Sequence, residues 1–214
     1  MLSNLTGRII HRQHGSKMLK RFLIALIAGS LSAIAPAQPA DPAIATVQTL
    51  DDGLLSIMRS GKSAGMPGRS RSIAPVIDRV FDIPLMTRLS VGPTWTSIAP
   101  RDQAALVAAF RSMTISSYAR NFDDYSNEKF AVSPQVQVRG ADKLVRTTLT
   151  SGRDTVPLAY RLRQSGGGWK IIDVYYKNSI SQLATRRSDF AATLASGGAR
   201  ALIAHLEQLA AKGR

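Results

Sequence analysis

Residues 169–190, WKIIDVYYKNSISQLATRRSDF, contain the step from the last predicted strand to the helix that follows it. The first half is rich in β-branched and aromatic residues, which is typical of a half-buried strand. The second half places Leu183 and Phe190 on one side of a helix and the Arg186-Arg187 pair on the other. This stretch therefore predicts a strand that passes directly into a helix packed close to the sheet.

Three further strand candidates precede it, from Lys129 onwards, where the apolar pattern changes to a period of two. Glycines separate the candidates, as they do in hairpin turns. The four predicted strands cover residues 129–140, 142–152, 155–168 and 169–178.

Helical patterns flank this meander on both sides. Asp41 and Asp82 are predicted N-caps, Pro42 opens the first helix, and Gly61–Gly68 reads as a loop. The predicted helices start at Pro42 and then cover Ser70–Phe81, Ile83–Leu89, Pro100–Phe122, Ser181–Leu194 and Ala199–Ala211, the last two separated by Gly197-Gly198. Helices, then an antiparallel meander, then helices predict an α+β fold rather than alternating βαβ units.

The first 37 residues form a secretory signal pattern. Lys20 and Arg21 precede an apolar run from Phe22 to Ala35, and Ala35-Pro36-Ala37 supplies the small residues that a signal peptidase reads. We therefore expect a signal peptide at 1–37, with Met18 as an alternative start, and a single domain at 38–214. The run is short for a membrane span, and an uncleaved anchor stays open as the alternative.

Composition limits the classes of protein that fit. There is no cysteine among the 214 residues, which excludes lipidation, disulfides and thiolate metal sites. Removing residues 1–37 leaves 23 basic and 14 acidic residues, a formal charge of +9. Because an exported protein meets anionic lipid more often than nucleic acid, we favour a membrane surface over nucleic acid as the partner of this charge.

The search for catalytic chemistry finds one candidate. There is no phosphate-binding loop, no nucleophile elbow and no metal-ligand cluster, and we expect no cofactor. His205 lies among leucines in the last helix and reads as a packed or surface residue. Asp173 lies in mid-strand between Ile172 and Val174, and would be a general base if it faced a cavity. The alternative for Asp173 is a structural carboxylate that binds backbone groups or an arginine.

The strands have an apolar side and a basic side. Val136, Leu158 and Tyr160 belong to the apolar side. Arg139, Arg161 and Arg163 point the other way, and we expect them to form a docking and steering surface.

Several motifs, by their order and spacing, give the chain a resemblance to a known protein family, and this resemblance covers nearly all of residues 38–214. They include Trp95 ahead of the long helix, Phe110 and Tyr118 within it, and then the 169–190 stretch and GGARALIAHLEQLA. The chain resembles the MlaC or toluene-tolerance (Ttg2D-like) family of periplasmic lipid carriers, and within it the hopanoid-associated HpnM branch. One departure is Ser179-Ile180-Ser181, where the family often has Gly-Val-Ser.

The resemblance implies a curved four-stranded antiparallel sheet wrapped by helices around an apolar lipid cavity. It also implies a non-enzymatic periplasmic shuttle that carries phospholipid or a hopanoid-type lipid between an inner-membrane transporter complex of the ABC type and an outer-membrane acceptor complex. From periodicity and resemblance together, we expect the cavity to be lined by Phe81, Leu85, Met86, Leu89, Phe110, Tyr118, Phe122, Leu158, Tyr160 and Val174.

Two other functions stay open from the residues alone. One is a small cavity enzyme, an isomerase or hydrolase of apolar substrates, that uses Asp173. The other is a binding module of an envelope complex with a filled core and no cargo.

Overall fold

The structure is a computed structural model that describes residues 40–212, so the predicted signal peptide at 1–37 lies outside the described residues. Within 40–212 the chain forms five α-helices and one sheet. The helices are α1 Pro42–Ser60, α2 Gly65–Val80, α3 Ile83–Val91, α4 Pro100–Asn121 and α5 Gln182–Ala211. The strands are β1 Lys129–Arg139, β2 Asp142–Ser151, β3 Asp154–Ser165, β4 Gly168–Tyr176 and β5 Ile180–Ser181.

The sheet is antiparallel, with the strands in chain order. It has five strands where the sequence predicts four. The additional strand, β5, is only two residues long and pairs with the end of β4 through Tyr175–Ser181 and Tyr176–Ile180. So short a strand has no alternating pattern of its own, and its residues read as part of a turn.

Local signals explain where most elements begin. Asp41 accepts a hydrogen bond from the Ala43 amide at the start of α1, and Asp82 accepts one from the Leu85 amide at the start of α3, which confirms both predicted caps. The prediction of a loop over Gly61–Gly68 is wrong from Gly65 onwards. A 3₁₀ turn covers Lys62–Ala64, and α2 then begins at Gly65 with Pro67 in its first turn, where proline is tolerated.

The sheet is curved and open. The pairing register shifts between Val132 and Val136 of β1, and again between Arg161 and Leu162 of β3. Irregularities of this kind bend a strand and increase its twist. The curvature makes one face concave and lets helices pack into it.

The core lies between that face and the helices. Val145, Leu162 and Ile171 of the sheet are buried with the apolar stripes of α1, α2 and α4. The start of α1 is held to the sheet by the Lys143 ammonium, which lies 2.6 Å from Asp41 Oδ2 and 4.3 Å from the centre of the Trp169 ring. This contact gives Trp169 a structural role at the edge of the core.

The last helix is not continuous in geometry. Gly198 has φ 65 and ψ −162, a conformation that is open almost only to glycine, and it kinks α5. The kink confirms the predicted break at Gly197-Gly198. No helix between residues 40 and 212 is both long and apolar enough to cross a membrane.

Candidate functional site

The concave face of the sheet and the helices enclose a cavity of about 390 Å³. This volume is within the range of roughly 300–1,000 Å³ that is usual for ligand pockets. Every helix except α2, together with β3 and β4, contributes to its wall. The lining residues are Leu54, Phe81, Met86, Phe110, Thr114, Ser117, Tyr118, Asn121, Phe122, Leu158, Tyr160, Val174, Tyr176, Gln182 and Arg186.

The cavity has an apolar floor and a polar rim. Leu54, Phe110 and Tyr160 have at most 2% of their surface exposed and form the floor. Asn121 and Tyr176 are exposed and lie at the rim. A molecule with an apolar body and a polar end matches this order of surfaces.

Aromatic rings from two elements form part of the wall. The ring centres of Phe81 and Tyr118 are 5.7 Å apart, and those of Tyr118 and Phe122 are 5.9 Å apart with the rings nearly parallel. Tyr118 and Phe122 are four residues apart on α4 and therefore share one helix face. Burial raises the pKa of the Tyr118 phenol, which stays neutral at physiological pH.

The structure brings eight of the ten predicted lining residues to this one cavity. Leu85 and Leu89 of α3 do not line it. Met86, on the same helix, does line the cavity. The side chain of Leu85 is rotated by about 100° around the helix axis from that of Met86, and Leu89 lies about one turn beyond Met86 along α3. Leu85 instead packs against the core from outside the cavity. That the eight residues hold a ligand stays a prediction.

Arg186 is the lining residue that departs most from the sequence prediction, which placed it with Arg187 on the side of α5 away from the core. The guanidinium is partly buried; its Nη1 lies 2.8 Å from the Met113 sulfur and its Cζ lies 5.6 Å from the centre of the Phe110 ring. Burial lowers the pKa of Arg186, while Tyr118 and Asp189 act in the opposite direction.

A signal for Arg186 exists in the sequence. Leu183, Arg186 and Phe190 have the i, i+3, i+7 spacing of a single helix face. Charged residues are usually solvated, and Arg186 is followed directly by a second arginine. The sequence therefore predicts that both arginines lie on the solvent-exposed side of the helix. Leu54, Thr114, Ser117, Asn121, Tyr176 and Gln182 were also missed, because several are polar and their positions depend on tertiary packing.

A buried carboxyl lies on α1, one helical turn before Leu54. Asp51 is 3% exposed, and within residues 40–212 neither carboxylate oxygen has a hydrogen-bond partner. Burial, and secondly the charge of Asp52, raise the pKa of Asp51 to about 8. A neutral carboxyl at this position costs much less than a carboxylate.

Asp173 does not line the cavity. Its carboxylate accepts hydrogen bonds from the amides of Val174 and Leu183, at 2.8 and 3.0 Å, and from the Ser181 hydroxyl at 2.6 Å. Asp173 is therefore a structural carboxylate that binds backbone groups, as the alternative interpretation predicted. Its use as a general base required that it face the cavity, and this condition is not met.

The basic face of the sheet is partly neutralised. The pairing register places Arg139, Asp142 and Arg163 side by side on the face opposite Tyr160. Asp142 is buried and lies 2.5 Å from Arg161 and 2.6 Å from Arg163. Burial alone would raise the pKa of Asp142, but hydrogen bonds from Arg163 and Arg161 outweigh it and leave the pKa below its ordinary value. Arg139 stays exposed and donates a hydrogen bond to the side chain of Gln137.

Other depressions on the surface suit an apolar ligand less well. One of about 490 Å³ lies between α2 and α4 and is lined by Arg71, Arg111 and three serines among its nine residues. Arg111 is already paired with Asp78 at 2.6 Å. In the part of the chain that the structure describes, no group of acidic and histidine side chains is arranged to hold a metal ion.

Comparison with known proteins is consistent with this architecture. A family model described as "MlaC protein" matches residues 48–208. Among solved structures, the phospholipid-binding protein from Ralstonia solanacearum, determined in complex with a phospholipid, superposes with a TM-score of 0.68 at 24% sequence identity, covering 80% of this chain and 98% of that one. That likeness establishes the fold. No curated protein sequence matches the chain.

Proposed function

This chain belongs to the MlaC protein family, and from that premise we propose that it is a lipid carrier whose cavity holds the acyl chains of its cargo. The observation that carries the proposal is the cavity of about 390 Å³ with an apolar floor and a polar rim. The phospholipid complex of the Ralstonia protein, which shares the fold, supports the same use of the space.

The energetics of lipid transfer favour such a cavity. Exposing a CH₂ group to water costs about 0.8 kcal/mol, so two chains of about 16 carbons cost roughly 25 kcal/mol. Surface charge cannot offset this, because each basic residue near an anionic bilayer contributes only about 1 kcal/mol. The apolar floor, with Phe110 and Tyr160, is the part of the molecule that replaces the bilayer core for the cargo.

The cellular role is a further part of the proposal. The secretory signal predicted at 1–37 and the family assignment favour the periplasm as the location. There the protein would shuttle phospholipid, or a hopanoid-type lipid, between an inner-membrane ABC-type transporter and an outer-membrane acceptor complex. The hopanoid branch rests on resemblance of sequence alone.

An enzyme is the less favoured alternative. Its candidate base, Asp173, accepts hydrogen bonds from the start of α5 and is not among the residues that line the cavity. A binding module with a filled core is less favoured for a different reason, since the space between sheet and helices is open.

Native mass spectrometry of the protein purified from its cell envelope tests the carrier function. We expect a mass shift equal to one or more lipids, and lipid extraction followed by tandem mass spectrometry to identify phospholipid or hopanoid. Delipidated protein mixed with labelled vesicles should recover the same mass shift. A protein that purifies without lipid and takes up none from vesicles is not a carrier.

A further inference from the structure

Arg186 differs from the other arginines that are buried or partly buried. Arg161 and Arg163 share Asp142, and Arg111 is paired with Asp78. Arg69 is buried and donates to the carbonyl oxygens of Ala119 and Gly61. Across residues 40–212, no carboxylate forms an ion pair with Arg186, and its contacts are a thioether sulfur and an aromatic ring.

These contacts leave most of the hydrogen-bonding capacity of Arg186 unused. A guanidinium has five N–H donors in a planar fork. One points at the Met113 sulfur, which is a weak acceptor, and the Phe110 ring covers one face of the group. A partly buried charge without an anionic partner is costly, and such groups concentrate at functional sites.

The place of Arg186 defines what would pair with it. It lines the cavity together with Gln182, one turn earlier on α5, and with Asn121 at the rim. The floor, on which the Arg186 guanidinium lies against Phe110, is otherwise apolar. A ligand that satisfies both surfaces has an apolar chain and, at its end, an anionic group with two or more oxygens, which a guanidinium binds in a bidentate manner.

We propose that Arg186 binds the phosphate of the cargo's headgroup and so makes the cavity selective for phosphate-bearing lipids over neutral ones. The inference rests on the proposed carrier function. The contacts with Met113 and with the Phe110 ring hold the guanidinium inside the cavity in the absence of cargo, so that little side-chain freedom is lost when the phosphate arrives.

The neighbouring residue Arg187 supplies a matched control. It is exposed, on the same helix and of the same charge, and its guanidinium lies against Gly92, away from the cavity. Replacing either arginine removes one positive charge. Any difference in lipid binding between the two variants is therefore due to the position of the arginine relative to the cavity.

The test is competition between two lipids with identical acyl chains. Delipidated protein is incubated with vesicles that contain equal amounts of phosphatidylglycerol and diacylglycerol, and the bound lipids are weighed by native mass spectrometry. We expect the native protein and Arg187→Met to prefer phosphatidylglycerol, and Arg186→Met to lose roughly tenfold or more of that preference while it still takes up diacylglycerol. Arg186→Lys, which keeps the charge but not the fork, should fall between them.

Other results would overturn the inference in distinguishable ways. If Arg186→Met, folded as judged by circular dichroism, keeps the native preference, Arg186 does not bind the headgroup while the carrier function stands. If the native protein takes up neither lipid, the carrier function fails and the inference with it. Glycerol 3-phosphate alone should bind too weakly to detect; binding that depends on Arg186 would assign the site to a free phosphate ester instead of a lipid.

Discussion

The hydroxyl of Ser181 donates a hydrogen bond of 2.6 Å to Oδ2 of Asp173, and the same hydroxyl oxygen accepts one of 2.9 Å from the Ala184 amide. Ser181 is thus both the N-cap of α5 and the link from that helix to β4. Since Asp173 Oδ1 also accepts from the Leu183 amide, one carboxylate holds the first turn of α5 against the sheet. This fixes the helix from which Arg186 and Gln182 line the cavity.

Asp173→Ala should therefore destabilise the protein without acting on the cavity directly. Loss of a buried carboxylate that accepts three hydrogen bonds leaves donors unpaired, and we expect the free energy of unfolding to fall by about 2–4 kcal/mol. Ser181→Ala removes the cap and one link and should cost about 1 kcal/mol. Urea denaturation followed by circular dichroism measures both. Equal midpoints for Asp173→Ala and the native protein would show that this carboxylate does not hold α5.

Leu158→Arg should empty the cavity. Leu158 is a half-buried lining residue of β3, and a guanidinium there would compete with an acyl chain for apolar space at a cost of several kcal/mol. We expect at least a tenfold loss of co-purifying lipid, measured by extraction and mass spectrometry.

Leu85→Arg is the control for this substitution. Leu85 is also half-buried, but it packs outside the cavity. A folded Leu85→Arg protein should keep its lipid. Should both variants lose lipid equally, the boundary of the cavity on α3 is drawn in the wrong place.

Asp51 should make stability depend on pH. Its pKa rises from 3.8 to about 8 on folding, so the folded state holds a proton that the unfolded chain releases between these values. The contribution of Asp51 to the free energy of unfolding is therefore greatest below about pH 4. This contribution is lost as the pH rises toward 8, by up to about 1.4 kcal/mol per pH unit. Asp51→Asn should remove this slope and be more stable than the native protein at pH 7.

The measurement is urea denaturation of delipidated protein at several pH values. Asp52→Asn, which changes the exposed neighbour, is the control; it should keep a slope of the native sign over a somewhat narrower pH range, because the charge of Asp52 is the smaller cause of the raised pKa of Asp51. If the slopes of Asp51→Asn and the native protein agree, the carboxyl of Asp51 is not buried in the way the structure places it.

Steering toward anionic membranes should depend on the exposed arginines of the sheet. Replacing Arg161 and Arg163 would strand the buried Asp142 carboxylate, so the sharper variant is Arg139→Gln with Arg146→Gln, both exposed. We expect this variant to exchange lipid with anionic vesicles more slowly than the native protein at low salt. The difference should vanish as the Debye length shortens to about 8 Å near physiological salt.

Arg79→Gln with Arg88→Gln removes the same charge from exposed positions on α2 and α3 and serves as the control. Fluorescence transfer of a labelled lipid measures the rates. If the two double variants slow exchange equally, net charge and not the sheet face determines the approach.

The order of secondary structure could be predicted from the sequence because its signals are local. Asp41 and Asp82 mark helix starts, Gly198 marks the break in α5, and a period of two marks each long strand. The absence of a glycine at Ser179 also proves harmless for a local reason. The left-handed residues of that turn are Lys177 and Asn178, so position 179 needs no glycine.

The sequence alone thus determined the α+β class, the four long strands and most of the apolar wall of the cavity, because the period of a helix or strand determines which side chains share a face. Only the tertiary structure decided which polar residues reach that wall. Arg186 points inward because α5 is held to the sheet through Ser181 and Asp173, and Asp142 neutralises two arginines because β2 and β3 pair in one register. Contacts between residues far apart in the chain depend on how elements pack; a local pattern, such as the helical spacing of Arg186 with Leu183 and Phe190, shows only which residues share a face.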